Sequence, residues 1–268
     1  MTRKILPLLD MPNADLANLK LVLTDIDDTL TLHGRLPAIA YEALERLQKA
    51  GIKVVAVTGR PAGWCDLIAR IWPVDAVVGE NGAFYFQYDP ASRKMRRVYA
   101  QDEPVRHGNV ARLHALAEGI LKQFPGTAWA SDQAYREIDV AIDFAEDVAP
   151  LPFSVAQKIA EEFHKNGASA KVSSIHVNAW FGEHDKLTMS LRMMQELFDI
   201  DGNKLNSKIA YLGDSPNDAP MYAHFYNGIG VANLGPFAPL MTHLPRYITL
   251  GEGGIGFSEF TDSVLGAR

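Results

Sequence analysis

Cysteine is nearly missing from this chain: Cys65 is the one example among 268 residues. That excludes an internal disulfide framework and a thiolate metal cluster, and Cys65 itself reads as a small apolar packing residue. Long apolar runs are missing as well, none approaching the ~20 residues of a membrane span. Arg3 and Lys4 precede only a short apolar stretch, Ile5 to Leu9, broken by Pro7, which makes a poor secretory signal. Positive charge is in deficit, with 26 Lys and Arg against 32 Asp and Glu, and a net charge of -6 argues against a general nucleic-acid binder. There is no internal repeat, low-complexity segment or long linker. What remains is an apolar fraction of 47% and a charged fraction of 22%, those of an ordinary globular protein. The expectation is a soluble protein of a reducing, cytoplasmic compartment, with no membrane and no nucleic-acid partner, built as one large domain or two modest ones.

The most informative stretch is Leu21 to Leu30, LVLTDIDDTL. Leu21-Val22-Leu23 suits a buried parallel strand. Asp25, Asp27 and Asp28 follow at its carboxyl end, where open α/β sheets bind ligands. Asp25 and Asp27 turn the same way if the backbone stays extended, and adjacent carboxylates need a cation, a proton or both. Two readings fit this stretch alone: a capped, solvated turn, or a cation site with a carboxylate nucleophile.

Along the chain, residues 1–18 show no periodicity and read as an extension. A helix over Pro37–Ala50 carries Ile39, Ala43, Leu44 and Leu47 on one face and ends at Gly51. A buried strand over Ile52–Val57 ends in Thr58-Gly59-Arg60, and Pro61 suits the first turn of a helix to about Ile71. Asp75–Val78 is a third short strand, ending in Gly79-Glu80-Asn81-Gly82. Strand and helix alternating with short connections predict a doubly wound, Rossmann-like parallel sheet.

The pattern then changes. Phe84–Tyr88 and Met95–Tyr99 read as an antiparallel hairpin, Asn109–Phe124 as a helix, and Tyr135–Phe144 as a strand with Ile138, Val140, Ile142 and Phe144 on one face. Ser154 and Gln157 carry the capping-box signature of a helix to about Lys165. Val172–Phe181 alternates again, with His176, Asn178 and Trp180 sharing a face. This is an α+β insert, placed at 88–184, inside a core formed by 1–87 and 185–268. Its polar sheet face either hydrogen-bonds a ligand or is merely solvated. The parallel style resumes with a helix over Asp185–Phe198, a strand over Lys208–Leu212 leading into Gly213-Asp214-Ser215-Pro216-Asn217-Asp218, short strands at Ile229–Ala232 and Tyr247–Leu250, and a closing helix over Ser258–Leu265.

Asp25-x-Asp27-x-Thr29, Thr58-Gly59-Arg60, Lys186, and Gly213-Asp214 with Asn217 and Asp218 resemble, in type and order, the motifs of the haloacid dehalogenase superfamily of phosphohydrolases. The insert lies between the threonine motif and the lysine, a position that resembles the class-two cap of the Cof-like and sugar-phosphate phosphatase branch. Glu80-Asn81-Gly82-Ala83 looks like that branch too. The resemblance implies a magnesium-dependent phosphatase acting on a small phosphorylated metabolite, with a phosphosugar foremost. Asp25 would be the nucleophile, forming an aspartyl-phosphate, and Asp27 the general acid and base. Mg2+ would be held by Asp25, the backbone carbonyl at Asp27, and Asp214, with Asp218 acting mainly through water. Thr58, Gly59, Arg60, Asn81, Lys186 and Asn217 would surround the phosphoryl group or substrate, and Thr58 and Lys186 count with the catalytic set. His176 and Asn178 are the cap's candidate substrate contacts. Asp28 receives no role. Two alternatives stay open: a phosphotransferase or mutase of the phosphomannomutase type, and a non-catalytic phosphosugar-binding regulator.

Overall fold

The computed structural model describes residues 5–268, so Arg3 and Lys4 lie outside it. The described part of the stretch read as a plain N-terminal extension, residues 5–18, is structured. Strand β1 (Leu6–Pro7) pairs in parallel with a strand near the C-terminus, helix α1 (Asn13–Ala17) follows, and Leu8, Met11 and Leu16 are buried in the core. Two-residue pairing carries no periodicity, which hides it from sequence.

Strand β2 (Leu21–Thr24) is buried along its whole length, as coverage on both faces requires. Helix α2 (Ala38–Lys49) buries Ala40, Ala43, Leu44 and Leu47, the face anticipated except that Ile39 is exposed. Strand β3 (Lys53–Val57), helix α3 (Ala62–Ile71, with Pro61 at its N-cap) and strand β4 (Ala76–Gly79) continue the parallel winding. The hairpin of β5 (Phe84–Asp89) and β6 (Lys94–Tyr99) forms as read, yet β5 pairs antiparallel with β4, at Val77↔Phe86 and Gly79↔Phe84. The hairpin therefore extends the large sheet, and its residues from 88 onward do not join the second sheet. Phe84 and Phe86 stack in the core and anchor it there.

Helix α4 (Glu103–Leu121) starts six residues before the predicted Asn109, because Asp102 accepts from the backbone N–H of Val105 and Pro104 fits the first turn. Strand β7 (Ala128–Trp129) precedes strand β8 (Val140–Asp143), which is shorter than the Tyr135–Phe144 pattern suggests. Helix α5 (Phe153–Lys165) opens after Pro152 with no side-chain cap, so Ser154 lies inside it and the predicted capping box does not form. Strands β9 (Ser169–Val172) and β10 (His176–Trp180) complete an antiparallel sheet of order β7-β8-β10-β9. Its α4 and α5 side holds its own apolar core, including Leu113, Ile142, Phe163 and Val177.

Helix α6 (Lys186–Phe198) begins with a reciprocal capping box between Asp185 and Thr188. Strand β11 (Ile209–Gly213), helix α7 (Ala219–His224), strands β12 (Asn227–Gly230) and β13 (Tyr247–Ile248) and helix α8 (Gly253–Gly266) close the chain. The large sheet has nine strands in the order β1-β13-β12-β11-β2-β3-β4-β5-β6, parallel from β1 through β4. Two apolar clusters cover its opposite faces, one including Leu44, Ile68 and Phe257, the other Met193, Met194 and Met221. The winding reverses direction at β2, between β11 and β3, which makes the ends of these three strands the expected ligand crevice. Among the described residues, no helix is long and apolar enough to cross a membrane.

Candidate active site

Asp214, Asp25 and Thr58 each follow the last residue of β11, β2 and β3, and those strands are neighbours. Three residues far apart in sequence thus stand side by side. Lys186, the first residue of α6, completes the group: its Nζ lies 3.0 Å from Asp25 Oδ2 and 2.9 Å from Asp218 Oδ1. All of these side chains are buried. Asp25 Oδ1 accepts from the backbone N–H of Ile26 at 2.8 Å, which leaves Oδ2 facing the lysine. Burial pushes the Asp25 carboxyl up to about 7, Lys186 opposes the shift, and Asp218 and Asp27 add to it. Burial alone would lower Lys186, but Asp218 and Asp25 outweigh it and hold the ammonium charged.

Asp214 is the least satisfied member. Its Oδ1 accepts from Thr29 Oγ1 at 3.1 Å, and its Oδ2 is buried without a hydrogen-bond partner. Burial drives its pKa well up, and Asp218 and Asp25 push the same way. Asp25, Asp214 and Asp218 each offer an oxygen within 4.8 Å of the others. A partnerless carboxylate oxygen in a converging acidic group is the chemistry of a hard-cation site. Asp218 differs from the other two. Its Oδ1 accepts from Lys186 and Tyr211, and its Oδ2 from the backbone N–H groups of Asp214 (3.1 Å) and Ser215 (3.2 Å). With two donors on each oxygen, Asp218 orients Lys186 and the Asp214 loop. Gly213 permits this fold-back, since a Cβ there would lie 2.3 Å from Asp218 Oδ2.

Asp27 faces elsewhere. Arg60 grips it with Nε at 2.9 and 3.0 Å and Nη2 at 2.8 Å, so its side chain is outside the acidic group. The same guanidinium reaches the insert, at Glu146 Oε1 (2.6 Å) and Asp132 Oδ2 (3.3 Å), and lies 4.4 Å over the Trp64 ring. Burial would raise the Glu146 carboxyl, but the adjacent His176 and the hydrogen-bonded Arg60 outweigh it and bring it to about 2. Arg136, also buried, binds Asp132 and Asp139 and donates to the Gly59 carbonyl at 2.9 Å.

Glu80 makes the second seam between the sheets. Its carboxylate accepts backbone N–H groups of Ala62 (2.9 Å), Glu137 (2.9 Å), Ile138 (2.7 Å) and Asp139 (2.9 Å). This explains the short β8: residues 137–139 spend their N–H groups on Glu80 instead of a partner strand. The insert's polar sheet face is neither solvated nor open, because Asp139, Asp143, His176 and Asn178 are all buried.

A cavity of ≈ 20 Å³ lies between the two units, lined by Asp25, Asp27, Gly59 and Arg60 below and by Ser174, His176 and Asn178 above. Asn217 borders it, its Oδ1 accepting from Ser215 Oγ at 2.7 Å. Thr58 accepts the Arg60 N–H at 3.0 Å and sits beneath the cavity floor. Asn81 does not reach the cavity. Its backbone is left-handed (φ 56), and its amide points at Asp139, 3.5 Å away. Asn178 spends its amide on Asp139 (3.0 Å), and His176 Nε2 lies 3.0 Å from Glu146 Oε2. Sequence reading missed Ser215, Glu146, Asp132 and Arg136. Only Ser215 sat inside a recognised motif. The basic run Arg93, Lys94, Arg96, Arg97 is remote, with Arg96 paired to Glu196 and Arg97 to Asp66.

Residues 22–107 match the family model of the haloacid dehalogenase-like hydrolases. The chain is 28% identical over 252 residues to a phosphoglycolate phosphatase of Archaeoglobus fulgidus, spanning 90% of this chain and 96% of that one. Its fold is similar to that of the sucrose-phosphatase of Synechocystis sp. PCC6803, solved with sucrose and phosphate, at TM-score 0.63 and 16% identity over 92% of this chain and 98% of the other. It is similar also to the C-terminal domain of a trehalose-6-phosphate phosphatase of C. albicans, at TM-score 0.69 and 13% identity over 99% and 100% of the two chains.

Proposed function

We propose that this protein is a haloacid dehalogenase-like, magnesium-dependent phosphatase of a small phosphorylated metabolite, with Asp25 as nucleophile. The observation that carries this reading is the Asp25–Lys186 contact of 3.0 Å beside an Asp214 oxygen that has no partner. Asp25 and Asp214, with the backbone carbonyl at Asp27, would hold the cation. When bound, it would neutralise charge on the phosphoryl oxygens and on the crowded carboxylates. Lys186 supplies a fixed positive charge at the same place, without reorganisation.

Asp25 attacks phosphorus and takes the phosphoryl group as an acyl phosphate, while Asp27 gives a proton to the departing alcohol oxygen. Asp27 then takes a proton from water as that water attacks the acyl phosphate, returning Asp25 and releasing inorganic phosphate. For the first step Asp27 must reach the leaving oxygen, and Arg60 occupies both of its carboxylate oxygens. Substrate entry therefore has to loosen the Arg60 grip. Cavity size requires the same movement. A space of ≈ 20 Å³ takes about one water, so a phosphosugar enters only when the insert lifts. The insert works as a lid that excludes bulk water once closed.

The lid's contribution to the cavity is uncharged and hydrogen-bonding: Ser173, Ser174 and Asn178, with His176 backed by Glu146. Such a lining favours a neutral, hydroxylated leaving group, as in a phosphosugar, over an anionic one. A phosphoglycolate phosphatase, by its name, expels an anionic group, so both classes belong in the test.

Phosphate release is measured on phosphosugars, phosphoglycolate and other phosphomonoesters, with magnesium or excess chelator. Release is expected with magnesium alone and fastest on a phosphosugar. Asp25→Asn should abolish it while leaving the fold intact, and near-normal turnover in that variant would sink the mechanism. Phosphate appearing on an added acceptor sugar in place of water would instead mark a transferase.

A further inference from the structure

The opposite end of the large sheet carries a second polar cavity, of ≈ 520 Å³. Its wall includes Ser207, Tyr226 and Arg246, which lie just before β11, β12 and β13, three adjacent parallel strands. Asp214 follows the other end of β11, so this cavity is separated from the candidate active site by roughly 20 Å, the length of that strand and its flanks.

Its charge is one-sided. Lys204, His224 and Arg246 line it, and no Asp or Glu does. This is a local property, since the chain as a whole carries a net charge of -6. Arg246 is held flat, 4.0 Å over the Tyr226 ring and 5.2 Å over that of Tyr247; among the described residues it forms no ion pair within 4.0 Å, and Asp15 acts on it only from farther off. Among the described residues, neither its buried Nη1 nor the buried His224 Nε2 has a hydrogen-bond partner. Lys204 leans toward Asp201 at 3.4 Å, outside the lining, and is otherwise exposed. Stacking on tyrosines satisfies the face of a guanidinium but not its in-plane N–H groups. Two partnerless nitrogens at one cavity wall call for a partner.

The surrounding backbone is prearranged. Asn206 donates to the His224 carbonyl at 2.7 Å and accepts from the Tyr226 N–H at 2.6 Å, tying the end of α7 to the start of β12. Guanidinium, imidazole, ammonium and the Ser207 hydroxyl all line this one cavity. A planar carboxylate uses only two of them, whereas a tetrahedral phosphate offers three oxygens. We propose that this cavity is a second, non-catalytic binding site for a phosphate group, free or borne by a small metabolite, held by Arg246, His224 and Lys204. The inference does not depend on the reading of the catalytic site.

The test is a titration of the full chain with inorganic phosphate in excess chelator, following arginine Nε–H and histidine ring resonances by NMR. Saturable shifts of Arg246 and His224 are expected, absent in sodium chloride of equal ionic strength. Arg246→Gln should weaken this binding by about tenfold or more while the circular dichroism spectrum is unchanged. Lys204→Gln, an exposed change with no folding risk, should weaken it by a smaller factor. Glucose 6-phosphate run in parallel separates the two sources: tighter binding than inorganic phosphate indicates a metabolite, and equal binding the phosphate group alone. Arg246 and His224 resonances that stay still, or that move equally in chloride, overturn the proposal. Residue-specific readout keeps any phosphate at Lys186 or Arg60 from being mistaken for this site.

Discussion

Arg60 and Asp27 form a two-armed ion pair, with three nitrogen–oxygen distances between 2.8 and 3.0 Å, and the same guanidinium holds Glu146 at 2.6 Å across the seam between the two sheets. One side chain thus restrains both the proposed acid–base residue and the lid.

Removing it should release both. Arg60→Gln leaves Asp27 and Glu146 without the cation between them, while Asp132 keeps Arg136, a loss of about 3–5 kcal/mol for a broken buried pair. Faster hydrogen exchange over residues 130–147 and a lower kcat are expected. Exchange identical to wild type would mean that Glu80 and Arg136 hold the lid closed without Arg60.

Asp27→Asn should separate the two proton transfers. On alkyl phosphates the first step loses its acid, and kcat should fall by ~10²–10⁴. An aryl phosphate with an acidic leaving group needs no acid, so its first step should persist while hydrolysis slows. Phosphoenzyme is then expected to accumulate, detectable by mass spectrometry. Equal losses on both substrate types with no phosphoenzyme would remove Asp27 from the acid role.

Asp214 should show a trade between stability and activity. It sits among Asp25 and Asp218 with one oxygen unpaired. Asp214→Asn removes a buried charge, and in chelator the variant should gain about 1–2 kcal/mol over wild type. Phosphatase activity and magnesium-induced stabilisation should be lost together. Thermal melts with and without magnesium check both; a variant that magnesium still stabilises fully would take Asp214 out of the cation site.

His184 should give the protein an acid-sensitive step. It stacks on Trp180 beside the chain's return to α6, and both ring nitrogens are buried without partners. Burial lowers its pKa to about 4, with Asp185 opposing. Between about 6.5 and 4 the unfolded chain binds the proton and the folded one does not, so stability falls as pH drops through that window. The loss is on the order of 3 kcal/mol, complete near pH 4. His184→Phe should flatten this stretch of the urea midpoint against pH. An unchanged slope would assign the sensitivity to another group.

The buried strands of the parallel sheet were legible in sequence because continuous apolar runs with polar ends leave few alternatives. Asp25, Lys186 and Asp214 were legible because each sits at an element end. The hairpin of β5 and β6 was legible as a hairpin but not by sheet, since register against β4 depends on where Phe84 and Phe86 pack. Asp132 and Glu146 were not legible at all. They occupy irregular segments, and their meeting with Arg60 depends on how the insert docks. At Asn81 a motif position suggested substrate contact, and in the structure its backbone is left-handed and its amide lies toward Asp139.

The chain leaves the large sheet after β6 and returns through α6, and Gln101 Nε2 binds the Phe181 carbonyl at 3.1 Å, so exit and return are one place in space. No strand of the nine is interrupted by what lies between. The intervening 80-odd residues behave as a cassette. Its length and lining are free to change while the neighbours of Asp25 and Lys186 stay fixed. One demand persists on any replacement: it must present backbone N–H groups to Glu80, as residues 137–139 do here. Selectivity can drift under that single constraint, and the chemistry beneath it need not.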